Sequence, residues 1–205
     1  MRAGLVLLLG LGCGAQTVPE GPVATFGTTV VASSGLRGEI YAIPRGEDVL
    51  FSFRGLKKLG EIYTTSLRVA PRRFQDGFPG VTARTEWFGI DYTGQFWVEK
   101  SAVYRFRLLA DDGAKLMIDG KLLIDNDGLH APLAVEGSAH LTRGIHRIRV
   151  PYFQGPRFEV ALVLSVAGPD GGEWRIFDTE EFRPPPDPGE WIKGKISKVK
   201  RGSNW

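Results

Sequence analysis

Cysteine is almost missing from this 205-residue chain, since Cys13 is the only one. A stabilising disulfide framework is therefore excluded, and a core must carry the fold. Catalytic signatures are equally scarce. There is no Gly-x-Ser-x-Gly elbow, no paired-histidine zinc helix, no phosphate loop and no dinucleotide fingerprint, and only three histidines are present. A glycosidase would need two acids facing each other across a cleft, and nothing in the order of residues sets up such a pair. No apolar run approaches the roughly 18 residues that a membrane-spanning helix requires. Charge of one sign is lacking too: twenty Lys and Arg meet 21 Asp and Glu between the first residues and Pro185. The net charge of +3 therefore comes mainly from the tail, which argues against a nucleic-acid-binding body.

Glycine (27), proline (13) and short alternating apolar runs are what the sequence does contain. Residues 1–15 read as a secretory signal: Met1-Arg2, the apolar GLVLLLGLG and small residues ending at Ala15. Lipidation at Cys13 is the lesser alternative, because Gly10 stands where a lipoprotein signal normally has leucine. Secretion to the periplasm or cell surface follows as an expectation. Residues 16–35 read as a linker, 36–183 as the folded domain, and 184–205 as a Pro-rich then basic tail. That tail could touch an anionic surface through its lysines, Trp191 and Trp205.

Within the domain, twelve candidate strands stand close together. They include LRGEIYAI, DVLFSFR, RTEWFGIDY and QFWVE as separate strands, AVYRFRLLA, IHRIRVPYF and FEVALVLSVA. Thr93-Gly94-Gln95 and Asp119-Gly120 read as hairpin turns, and residues 44–62 leave room for one short helix. The pattern predicts an all-β fold, an antiparallel two-sheet β-sandwich or flattened barrel, with function in the end loops.

Those loops are acidic. Asp111-Asp112-Gly113 and Asp125-Asn126-Asp127-Gly128 flank a predicted hairpin, and clustered carboxylates suit calcium, a hard cation that takes oxygen ligands. Asp and Asn before Gly also serve turns, so Asp125, Asn126 and Asp127 read as turn residues first and ligands second. His130 follows the acidic loop without a sequence neighbour that completes a catalytic set. His140 and His146 read as surface or half-buried strand residues. Trp87, Phe88, Phe96 and Trp97 read as core, with Trp174 at the domain's edge.

The order of these pieces matters more than any one of them. YRFRLLADDGAKLMIDGKLLIDNDGLH, followed by GSAHLTRGIHRIRVPYFQGPRFEVALVLSV, resembles the protective-antigen (PA-14) domain of anthrax toxin, yeast flocculins and adhesins and bacterial glycosidases. The likeness runs from about Leu36 to Val166. It implies a β-sandwich and, as in the sugar-binding adhesins, two adjacent aspartates joined by a cis peptide that hold calcium beside sugar hydroxyls. Asp111 and Asp112 match that pair, and Gln154 stands where the adhesins have asparagine. A carbohydrate site built on Asp111, Asp112, Tyr152, Phe153, Gln154 and Arg157 is the resulting expectation, with whichever of Tyr152 and Phe153 points outward touching the glycan. Arg157 departs from the pattern by placing positive charge near the cation. The implied protein is a secreted, non-catalytic module for a glycan or cell-wall polysaccharide. A structural or protein-interaction module of the envelope, binding neither sugar nor metal, is the alternative.

Overall fold

The computed structural model describes residues 35–50, 52–82, 84–156 and 159–185. The expected signal, the linker before residue 35, Cys13, Arg157 and the tail beyond Pro185 lie outside them. Among the described residues, eleven strands form two antiparallel sheets that are not closed into a barrel. The first sheet runs β2 (Lys58–Thr64), β1 (Leu36–Ala42), β4 (Phe88–Val98), β9 (Gly144–Gln154), β6 (Ala114–Ile118), β7 (Lys121–Asn126). The second runs β11 (Arg175–Ile176), β10 (Glu159–Ala167), β5 (Ala102–Asp111), β8 (Leu133–Leu141), with β3 (Arg68–Arg73) also pairing β10.

Alternation explains the layering. On β5, Ala102, Tyr104, Phe106, Leu108 and Ala110 are buried while the residues between them are more exposed. They meet Ile90, Tyr92, Ile148, Val150 and Leu116 from the other sheet in one continuous core. Ile43, Phe53 and Phe153 make a smaller second core, with Trp87 packed against it.

Four expectations change. Thr93-Gly94-Gln95 is no turn but the middle of β4, which runs unbroken for 11 residues. Glycine is needed at 94 because a Cβ there would stand 2.7 Å from the carbonyl oxygen of Gly35. The described residues of the apolar DVLFSFR form no strand; Phe53 plugs the second core from a loop. The region expected to allow a short helix instead supplies strand β2, and the only helix among the described residues is a 3-10 turn at Phe74–Asp76. His146 is buried, with Nδ1 2.7 Å from Asp119 Oδ2 and Nε2 2.7 Å from the Thr142 carbonyl. The Asp119-Gly120 turn does close the β6–β7 hairpin, with both residues at positive φ.

Candidate functional site

Both places where the chain passes between sheets around the acidic loop lie at one end of the sandwich. β5 belongs to the second sheet and β6 to the first, and only Asp112 and Gly113 separate them. β9 belongs to the first sheet and β10 to the second, joined by residues 155–158. Ala114 pairs with Tyr152 in one sheet and Asp111 with Ala161 in the other, so the two crossings are held side by side. Gly113 has no room for a side chain: an added Cβ would lie 2.3 Å from Phe153 Cε1 and 2.9 Å from the Gly128 nitrogen. The sharp passage requires glycine at this third position.

The Asp111-Asp112 peptide is cis. Both side chains are buried, at 3% and 5% exposure, yet both line a cavity of about 300 Å³ with Leu129, His130, Ala131 and Pro156. Their surroundings differ. Asp112 is braced by the main chain: the Gly155 N–H donates to Oδ2 (2.7 Å) and the His130 N–H to Oδ1 (3.2 Å). Burial still raises its carboxyl, against those two bonds. Asp111 receives no such main-chain support, and burial followed by the charge of Asp112 pushes its carboxyl up to about 7. Two carboxylates this close and this buried disfavour each other's charge, and Asp111 carries the larger share of that cost.

Gln154 is fully buried behind the pair. Its Nε2 donates to Asp112 Oδ2 (3.3 Å) and to the Glu159 carbonyl (3.1 Å). Its Oε1 lies 2.5 Å from the Tyr152 hydroxyl, which also reaches the Asp111 carbonyl at 2.7 Å. One phenolic proton thus faces two acceptors.

The structure brings Asp111, Asp112 and Gln154 together and corrects the expectation for the aromatics. Tyr152 and Phe153 are both 0% exposed, because the main core covers one face of β9 and the second core the other. Neither can stack on a sugar. The second acidic loop is structural. Asp127 Oδ1 accepts from the Leu50 and Gly128 N–H groups and its Oδ2 pairs with Lys115, while Asn126 donates to the Leu108 and Leu133 carbonyls. His130 turns its ring nitrogens toward the carbonyls of Ala131 and Asn126. Among the described residues, no group of three or more His, Cys, Asp and Glu converges on one point. Trp174 packs under Arg105 and Arg107 on the second sheet, away from this end. Sequence reasoning missed Leu129, 43% exposed at the cavity, whose only signal is an apolar residue following an acidic turn.

A PA14 domain family model matches residues 75–179, more than half of the chain. The chain belongs to the PA14 domain family. Solved PA14 structures share its fold at low identity. The PA14 sugar-binding domain from an RTX adhesin is 19% identical, with a TM-score of 0.58, over 72% of this chain and 96% of that one. The epithelial adhesin 9 A domain of Candida glabrata, in complex with Galβ1-3GlcNAc, is 11% identical, with a TM-score of 0.53, over 73% and 88%. An anti-sigma factor domain-containing protein is 21% identical, with a TM-score of 0.58, over 76% of this chain but only 50% of its own length. No curated protein sequence is significantly similar. Among the described residues no helix is long and apolar enough to cross a membrane.

Proposed function

We propose that this PA14 domain is a secreted, non-catalytic carbohydrate-binding module whose glycan site is the cavity over Asp111 and Asp112. The observation that carries the reading is the pair itself: two adjacent carboxylates, nearly sealed from solvent, line one cavity, and only Asp112 of the two is braced by main-chain donors. A divalent cation relieves the cost of burying them, and calcium suits an all-oxygen set.

The residues present fit such an ion. If the Gln154 amide is turned by half a rotation, its nitrogen donates to the Tyr152 hydroxyl, which then gives its one proton to the Asp111 carbonyl. The amide oxygen then stands where Nε2 is now, beside Asp112 Oδ2 and the Glu159 carbonyl. In that orientation Gln154 offers an oxygen and not a proton beside Asp112 Oδ2, which suits a cation. Asp111, Asp112 and Gln154 would hold it, and bound there it would offer open positions to sugar hydroxyls. Leu129 and Pro156 would lie against the apolar face of the sugar, with His130 at the wall. The sugar-binding RTX adhesin domain and the galactoside-bound Candida adhesin domain support a glycan as partner.

Thermal unfolding of the full chain in EDTA, then in a calcium titration, tests the reading. Calcium at a hundred times its dissociation constant is expected to add about 2.7 kcal/mol, a rise of several degrees for a domain of this size. A glycan array probed in calcium and in EDTA follows. Identical melting curves would reject the cation site. They would favour the envelope-interaction reading, for which there is also a specific observation: the Gly155 and His130 N–H groups already give Asp112 a role in the fold.

A further inference from the structure

The Gln154 amide stands between two settings that ask for opposite groups. One end lies 3.3 Å from Asp112 Oδ2 and 3.1 Å from the Glu159 carbonyl, and an ionised carboxylate and a carbonyl can only accept. The other end lies 2.5 Å from the Tyr152 hydroxyl, which can donate or accept. The side chain is fully buried, so bulk water does not repair a wrong choice. Half a rotation exchanges the oxygen and the nitrogen of an amide while leaving the heavy-atom positions in place, so the neighbours decide the orientation.

Without an ion, the nitrogen belongs at the first end. It gives one proton to Asp112 and one to the Glu159 carbonyl, and the amide oxygen accepts from Tyr152. A single conflict remains: the Tyr152 hydroxyl also lies 2.7 Å from the Asp111 carbonyl, and its one proton cannot serve both. The opposite orientation removes that conflict, since Tyr152 then accepts from the amide and donates to Asp111. It creates two others, because the amide oxygen now faces both Asp112 Oδ2 and the Glu159 carbonyl. It also leaves one amide N–H without a partner among the described residues. With a cation beside Asp112 the balance reverses, because an oxygen is then wanted where the nitrogen stood. Tyr152 becomes the group that must receive the amide proton.

We propose that Gln154 is an ion-driven amide switch with Tyr152 as its positioning residue: the nitrogen faces Asp112 in the calcium-free protein, and with calcium bound the oxygen faces Asp112 and the nitrogen the Tyr152 hydroxyl. The switch presupposes the calcium site proposed above. NMR of the isotope-labelled full chain reads the orientation directly. The Gln154 amide protons are expected to show a weak Overhauser contact with the Tyr152 ring in EDTA and a strong one in saturating calcium. Tyr152→Phe keeps the ring in the main core and removes the acceptor for the turned amide. It is expected to weaken calcium binding about 5- to 100-fold in a calorimetric titration. In Gln154→Glu both ends of the side chain are oxygens and no rotation is needed, so adding Tyr152→Phe there should leave calcium affinity nearly unchanged. A tyrosine that only supports the fold would lower the melting temperature and leave calcium affinity alone, which overturns the switch. An equal loss of calcium affinity in both backgrounds also overturns it. So does an Overhauser contact that is the same in EDTA and in calcium while calcium still raises the melting temperature. If calcium changes neither the contact nor the melting temperature, the calcium site itself is wrong and the switch falls with it. The NMR result needs no variant, so it decides the matter if Tyr152→Phe fails to fold.

Discussion

Replacing Asp111 with asparagine is expected to stabilise the calcium-free protein at pH 8. The Asp111 carboxyl is lifted from 3.8 to about 7, first by burial and then by the charge of Asp112. The folded state therefore binds this proton more tightly than the unfolded chain does. Below pH 4 both states are protonated and the group contributes nothing. Between about 4 and 7 the folded state holds more protons, so stability falls as pH rises, and above 7 the full cost is present. At about 1.4 kcal/mol for each tenfold change in proton affinity, that cost is at most about 4 kcal/mol. Asparagine keeps the shape but brings an amide that needs an acceptor, so a net gain of about 1–3 kcal/mol is expected. That corresponds to a rise of several degrees in melting temperature. Calorimetric melting of both proteins in EDTA from pH 5 to 8.5 checks it: the two curves should meet near pH 5 and separate as pH rises. Saturating calcium should reverse the order at pH 8. Parallel pH profiles in EDTA, or a less stable variant at pH 8, would refute the argument.

The neighbouring carboxylate should behave in the opposite way. Asp112→Asn leaves the Gly155 or His130 N–H facing an amide nitrogen, and is expected to lose about 1–3 kcal/mol in EDTA by urea denaturation. Gly113→Ala drives a methyl group into Phe153 and the Gly128 main chain, and should cost about 3 kcal/mol or prevent folding, read as a lower urea midpoint. Asp127→Ala strips the Leu50 and Gly128 N–H groups of their acceptor and should cost about 2–3 kcal/mol. Its calcium-induced melting shift should match that of the wild type, since Asp127 serves the loop and not the cavity.

Much of the sandwich was legible because β5, as far as Ala110, and β6 alternate between buried and more exposed residues, and the Asp-Gly turn that follows β6 accepts positive φ. Failures came where one residue type answers two needs. Gly94 looked like a turn and instead allows the Gly35 carbonyl to approach, while Phe53 looked like part of a strand and instead fills a small core from a loop. The same small core hid the fate of Phe153. Alternation implied that one of Tyr152 and Phe153 faces outward, which holds only where a sheet has a single covered face. The acidic pair was found from Asp-Asp-Gly and its neighbours in order. What braces it was not, because the donors are main-chain N–H groups of His130 and Gly155, and such groups leave no mark on side-chain identity.

The side-by-side crossings have a mechanical consequence. β5 lies between β10 and β8, and β9 between β4 and β6, so each strand that ends at the cavity is flanked on both sides. A tug on anything held there would run along two interior strands at once, one in each sheet. It would load rows of parallel hydrogen bonds in shear, and these must yield together, whereas bonds at a sheet edge can peel one at a time.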